Sequence, residues 1–426
     1  MHKALFIVIL SLTTFIKPNA QFNQSFTKEA LRIDFVLTGN NKSTDISIFE
    51  TIKEPHWGGN YNNLICPFDY GQFRLVVKDY SSKQVLYTHG FCTLFEEWQT
   101  TIEAEENESA FFQTVQCPFP KKKVLVDIET RDEANQFKLV KTFTIDPKAH
   151  SIIERKAIAK THKFIDNGKS TKCVDIAIIA EGYTEDEMEI FHADVERLSN
   201  YLFTQAPFDQ YKNKFNIWMI DAISEESGVS DPRKDIWKNT ALQASFNTLN
   251  SDRYLETTHT FTVRDYAALV PYDQIYILVN TEKYGGGGIY NHFSTTAAHH
   301  GNSEPVFVHE FGHSFAALGD EYYTSEVSYS DFFNTAVEPW QPNLTTLINF
   351  DSKWKTMLDE NTPIPTPANA KQKDIIGVYE GGGYVAKGVY RPYIDCRMKT
   401  NTADGFCPVC QKAIKEMILF LTGEEL

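Results

Sequence analysis

The chain has 426 residues, of which 42% are hydrophobic and 23% charged, with a formal net charge of −15. That composition is ordinary for a globular protein long enough to bury two or more sizeable cores. The acid excess argues against nucleic acid or an anionic membrane surface as a partner. At the N-terminus, Met1-His2-Lys3 runs into the apolar segment Ala4–Leu10, and Pro18-Asn19-Ala20 precedes Gln21. This is the pattern of a secretory signal peptide over residues 1–20, with cleavage after Ala20. The apolar run is too short to span a bilayer comfortably, and Lys17 interrupts it. Removing it takes away Lys3 and Lys17 and no acid, which deepens the charge to −17. The expected location is outside the cytosol: secreted, periplasmic or extracellular, with no membrane insertion.

Residues 21–150 read as β. Leu31–Leu37 alternates apolar and polar positions and stops at Gly39-Asn40-Asn41. Phe73–Lys78 and Val85–Thr88 flank a short turn at Ser81-Ser82, and Val124–Ile128 with Phe137–Phe143 make a second pair. Short alternating runs separated by polar turns predict a β-sandwich. Its aromatic clusters, Trp57-Gly58-Gly59-Asn60 and Phe95-Glu96-Glu97-Trp98, read as core and loop packing rather than as a binding surface.

From residue 151 the pattern changes to α/β, which sets a second domain at 151–426. After a polar stretch from Glu154 to Lys172, Cys173–Ala180 is a buried-type strand. Thr184-Glu185-Asp186-Glu187 has the spacing of a capping box, opening a helix to about Phe203. Phe215–Ile220 is a second strand, Val263–Val270 a short helix and Gln274–Val279 a third strand. Strands alternating with helices predict a mixed sheet. Thr324–Tyr393 is rich in proline and glycine and reads as long and irregular, one wall of a cleft. Lys412–Leu421 closes the chain as a helix.

The chemistry concentrates at Val308–Tyr322. On a helix, His309 and His313 lie one turn apart on one face, a spacing that can grip one zinc ion. Glu310 sits where a carboxylate can take a proton from an activated water. Ser303 is placed as the N-cap, Pro305 in the first turn, and Gly319 as the stop. Catalytic zinc needs three protein ligands and an open position. Asp320, just past the break, is the expected third ligand, with Glu321 as the alternative. His292 and His299-His300 lie nearby; either could be a ligand if Asp320 is not, but they read as ordinary loop histidines.

These residues resemble a known family. His309, Glu310 and His313 match the start of the long metzincin pattern. Ala316 stands where its glycine would be and Gly319 where its third histidine would be. Cys396-Arg397-Met398 looks like the methionine turn. Together with Gly377–Gly381 and Phe406–Cys410, the stretch resembles the IgA-peptidase family of bacterial zinc metallo-endopeptidases. The resemblance implies a metzincin-like catalytic domain, with Met398 as a hydrophobic floor under the metal. It also implies that Gly286, Gly287, Gly288 and Ile289 form an edge strand that binds extended peptide substrate. The metzincin tyrosine two residues after the methionine is replaced by Thr400, while Tyr390 and Tyr393 read as packing residues.

The expected fold class is therefore α+β with two domains, an N-terminal β-sandwich and a metzincin-like domain carrying a mixed sheet and a zinc helix. The expected activity is zinc-dependent endopeptidase, with Zn2+ held by His309, His313 and Asp320 and with Glu310 as general base. The competing reading is an inactive protease scaffold serving as a protein or glycan adhesin, and a third is a zinc amidase acting on cell-wall peptides. Cys396, Cys407 and Cys410 leave open a structural metal site lacking a fourth ligand, a disulfide, or plain thiols.

Overall fold

The computed structural model describes residues 18–155, 158–323, 333–368 and 374–426. Most of the apolar leader, Met1 to Lys17, lies outside these described residues, as does part of the proline- and glycine-rich stretch. A short helix, α1 (Pro18–Ser25), leads into the hairpin β1 (Phe26–Asn40) and β2 (Ser43–Glu54). The Asn40 side chain closes this turn by accepting from the Lys42 amide at 2.9 Å, as short polar side chains do at reversals. A second hairpin follows, β3 (Phe73–Asp79) and β4 (Val85–Phe91), then the short helices α2 (Leu94–Gln99) and α3 (Ile102–Glu106). The strands β5 (Ser109–Pro120), β6 (Val124–Arg131), β7 (Phe137–Ile145) and β8 (Ile152–Ile153) complete two four-stranded sheets, ordered β5-β1-β2-β8 and β4-β3-β6-β7.

The two sheets share one core. Leu31, Ile33, Phe35 and Leu37 of β1 meet Phe73, Leu75 and Val77 of β3 and Val124, Val126 and Ile128 of β6. Their spacing of two puts each set on one face. Both expected hairpins are present. The alternation pattern misses β2 and β5. The prolines in β5 argue against a strand, but β5 lies at the edge of its sheet, where a missing N–H is tolerated.

The second half is built on a six-stranded sheet in the order β13-β14-β12-β10-β11-β9. Its strands are β9 (Lys160–Ile165), β10 (Val174–Glu181), β11 (Phe215–Asp221), β12 (Gln274–Val279), β13 (Gly286–Ile289) and β14 (Phe293–Ala297). The inner pairings are parallel and both outer ones antiparallel, so the sheet is mixed as expected. Every residue of β10 and β12 is buried, as interior parallel strands require. β9 falls inside the stretch read as polar. It is an edge strand, and its lysines suit that position.

The helices are α4 (Met188–Leu202), α5 (Thr260–Ala267), α6 (Ser303–Ala316) and α7 (Pro408–Leu421). The capping box forms: the Glu187 carboxylate accepts from the Thr184 amide at 2.8 Å. Alternate residues of β10 serve opposite layers. Ile176 and Ile178 pack with Leu198 of α4, Phe311 and Phe315 of α6 and Ile414 of α7. Ala177 and Ile179 pack with Val263 of α5 and Leu255. Helix α5 begins three residues before the expected Val263.

The two halves are tied at specific points. Buried Arg32 of β1 pairs with Asp34 at 2.6 Å and reaches Asp265 of α5 at 2.7 Å. The side chains of Asn60 and Asn63 both donate to the Phe420 carbonyl, at 3.0 and 2.9 Å, and Asn62 donates to Gly423 at 3.1 Å. These bonds satisfy carbonyls that the end of α7 would otherwise leave without partners. Within the stretch expected to be irregular, β15 (Tyr379–Gly382) and β16 (Val385–Arg391) form a hairpin.

Candidate metal centre and cleft

Helix α6 carries the two histidines. Its cap residue is Asn302, and Ser303 is the first helical residue, with its hydroxyl donating to the carbonyls of Ala297 and His300, each at 2.6 Å. Val306, Phe307, Phe311 and Phe315 anchor the apolar face. The helix stops at Ala316, three residues before Gly319. Ala317 adopts the left-handed conformation (φ 57°, ψ 26°), the Ala317 amide donates to His313 and the Leu318 amide donates to Gly312. An alanine there costs about 1 kcal/mol relative to glycine. Gly319 has a different reason to be glycine: a Cβ would lie 2.6 Å from Leu344 Cδ1. Asn343 clamps both sides of Gly319, accepting from its N–H at 2.7 Å and donating to its carbonyl at 2.8 Å.

This reversal returns the chain toward the helix and brings three atoms together. His309 Nε2 and His313 Nε2 are 3.1 Å apart. Asp320 Oδ1 lies 3.2 Å from the first and 3.3 Å from the second. His309 Nδ1 donates to the Arg397 carbonyl at 2.9 Å, and His313 Nδ1 to the Leu318 carbonyl at 2.6 Å. A carbonyl can only accept, so both rings carry the proton on Nδ1 and turn a bare Nε2 lone pair into the shared space. Asp320 Oδ1 is buried and has no hydrogen-bond donor. With both rings neutral, three acceptors converge on one space, which is the donor set a cation completes. Atoms held by one tetrahedral zinc at 2.0–2.1 Å stand roughly 3.3 Å apart, so the residues present fit the ion.

With no cation in the shared space, positive charge is drawn there as a proton on His313. Burial works against a charged His313, but Asp320 and Glu310 beside it prevail and raise it to about 9. Burial also opposes ionisation of Asp320, and the two imidazoles overcome it and hold the carboxyl well below its usual range. Burial raises Glu310 above the ordinary carboxylate range, with His309 and His313 opposing. Glu310 reaches the same space, its carboxylate within 4.8 Å of the ring nitrogens.

The surroundings position these groups. Tyr384 donates to Asp320 Oδ2. The turn of the β15–β16 hairpin holds the same segment: Gly383 N donates to Asp320 O at 2.7 Å and Tyr384 N to Tyr322 O at 3.0 Å. Fully buried Met398 packs beneath α6, where a Cβ on Gly312 would come within 2.8 Å of its sulfur. Strand β13 runs along the other side of α6. The glycines there admit the helix rather than only a ligand: a Cβ on Gly288 would lie 2.3 Å from Glu310 O, and one on Gly286 3.1 Å from Glu310 Cγ. Gly287 instead packs over Glu256 and Tyr254. The outer edge of β13 carries an isolated bridge from Tyr254 to Gly286.

His309, Glu310, His313, Asp320 and the whole of β13 line one cleft of about 440 Å³, together with Thr400. Arg253, Tyr284, Tyr322, Tyr384 and Glu97 line it too, and sequence reasoning missed all five. The only local signals were the position of Tyr322 just after Asp320 and that of Tyr384 just after a glycine run. Glu97 belongs to the cluster read as packing. Its aromatic neighbours Phe95 and Trp98 are indeed buried, while Glu97 accepts from the Tyr254 hydroxyl at 2.7 Å. Glu321 turns away from the histidines, toward Asn343 and Cys410. His292 is buried, His299 contacts Asp194 at 2.7 Å and His300 packs on Tyr284, so none of them joins the centre. Tyr390 and Tyr393 pack against the core rather than lining the cleft.

Comparison with known proteins places this geometry in a family. No curated protein matches the chain. The family model described as IgA Peptidase M64 matches residues 163–375 and 368–418, and the one described as Peptidase M64 N-terminus matches residues 21–142. The matches cover both halves and include α6, Asp320 and Met398, and the chain belongs to the IgA Peptidase M64 family of metallopeptidases.

Proposed function

We propose that this chain is a secreted zinc-dependent endopeptidase. The observation that carries the reading is the convergence of His309 Nε2, His313 Nε2 and Asp320 Oδ1 beside Glu310, in a cleft edged by β13. His309, His313 and Asp320 would hold the metal. When bound, zinc supplies Lewis acidity toward a scissile carbonyl and toward a water molecule. Glu310 takes the proton from that water as it attacks and passes it to the leaving amine. Tyr384 steadies Asp320, and the Arg397 and Leu318 carbonyls fix the histidine tautomers. An extended peptide pairs with the outer edge of β13, the recognition mode of a strand added to a sheet.

In this reading residues 1–20 are a cleaved signal peptide, 21–150 a β-sandwich accessory domain and 151–426 a metzincin-like catalytic domain. The shared core of the two N-terminal sheets supports the sandwich, and Met398 beneath α6 supports the metzincin likeness. Among the described residues no helix is long and apolar enough to cross a membrane. The test is cleavage of an unfolded protein by the purified mature chain. Cleavage should stop on chelation, and Glu310→Ala should lower it by about 10²–10⁴-fold. A wild-type chain that holds its metal and cleaves nothing would favour the adhesin reading instead.

A further inference from the structure

Behind the cleft the chain gathers a second set of metal-ligand side chains: Glu321, Cys396, Cys407 and Cys410. All four are buried, and their ligand atoms lie within 4.8 Å of one another. Glu321 stands just past Asp320, Cys396 opens the Met398 turn, Cys407 caps α7 and Cys410 lies in its first turn. We propose that these four residues form a structural zinc site, separate from the centre at His309 and independent of whether the chain is an active peptidase.

The sulfur geometry supports a shared ion over a covalent bond. Cys396 Sγ and Cys410 Sγ are 3.8 Å apart. A disulfide needs about 2.05 Å, whereas two thiolates each about 2.3 Å from one tetrahedral zinc stand roughly 3.8 Å apart. Glu321 Oε1 lies 3.3 Å from Cys410 Sγ, near the roughly 3.6 Å expected of a sulfur and an oxygen on the same zinc. Glu321 is 0% exposed, yet its Oε2 has no hydrogen-bond partner. A buried carboxyl group with an unpartnered oxygen is unfavourable, and a cation there would offset that.

The surroundings supply partners for bound sulfur. The Cys407 amide donates to Cys396 Sγ at 3.2 Å. Cys407 and Cys410 sit at the N-terminal end of a 14-residue helix, whose dipole favours negative charge. Asn343 donates to Glu321 Oε1 at 3.0 Å and orients it. Each thiol gives up its proton on binding, and no oxidant is needed. Sulfur-rich tetrahedral sites select zinc among the common divalent ions.

Such a site would staple together three segments that serve the cleft. Glu321 is bonded to Asp320, Cys396 precedes the Arg397 carbonyl that orients His309, and α7 closes the core beneath α6.

The experiment uses the full mature chain, purified without chelator. Elemental mass spectrometry should find about two zinc ions per chain. In His309→Ala/His313→Ala about one zinc should remain, and its X-ray absorption spectrum should show a sulfur shell near 2.3 Å. Cys410→Ser added to that variant should release the last zinc; the absorption measurement needs no cysteine variant, so misfolding cannot mask the answer. A double-histidine variant that stays free of zinc after reconstitution, a shell without sulfur, or a disulfide among the three cysteines would overturn the proposal. A wild-type chain with one sulfur-bound zinc would leave it standing and count against the peptidase reading.

Discussion

The Arg397 carbonyl accepts from His309 Nδ1 at 2.9 Å, joining residues 88 positions apart. The Arg397 side chain is itself buried and donates to the carbonyls of Asn401 at 2.7 Å and Ala403 at 2.8 Å, which shapes the turn that presents its carbonyl. Arg397→Met should loosen the turn without touching a ligand. We expect metal affinity at the histidine centre to fall by about 10–100-fold, the usual effect of losing an outer hydrogen-bond partner. Competition with a chelator of known affinity measures it, and an unchanged affinity would show that the turn holds its shape without the guanidinium.

Asp320→Asn tests the third ligand. The amide keeps the size of the side chain and can still accept from Tyr384, so the fold should persist. Its neutral oxygen is a poorer donor to a cation, so the zinc of the histidine centre and the activity should both be largely lost, while the sulfur-bound zinc stays. Circular dichroism, metal content and cleavage rate are read together. Full zinc with full activity would sink the assignment.

Gly288→Ala tests the packing of β13 on α6. The added Cβ would meet the Glu310 carbonyl at 2.3 Å, and neither backbone can yield freely. Overpacking of this kind costs about 1–3 kcal/mol, read from the denaturation midpoint. The shift should also displace Glu310 and lower the cleavage rate. Gly301→Ala is the control, since a Cβ there meets nothing within 4 Å.

What could be read from sequence was local. Alternation located β1, β3, β4, β6 and β7, and the run Gln274–Val279 coincides with β12. The spacing of His309 and His313 put both on one helix face. What could not be read depends on distant partners. Asp320 and Glu321 are adjacent acids, and nothing local says which faces the histidines. Asn343, the left-handed Ala317 and the β15–β16 turn decide it. The fourth member of the cysteine cluster was missed for the same reason: Glu321 lies 75 positions before Cys396 in the chain and was weighed only for the other centre. Strands β9 and β14 escaped because an edge strand tolerates lysine and a five-residue strand of small polar side chains has no apolar stripe to read.

The approach to α6 should respond to pH. His299 Nε2 meets Asp194 Oδ2 at 2.7 Å, four residues before the helix begins, and ties that segment to α4. The bond to Asp194 raises His299 above its ordinary value of 6.5, against the opposing effect of burial. The folded chain therefore holds this proton more tightly than the unfolded chain does. The stabilisation is complete below pH 6.5 and is lost as pH rises through the folded value. His299 is partly exposed and solvent screens the pair, so the expected loss is below about 1 kcal/mol. Urea midpoints measured from pH 6 to pH 9 should decline more for the wild-type chain than for His299→Gln. Parallel curves would mean that the pair contributes nothing to stability and that the entry to α6 is held by Ser303 and the strand before it.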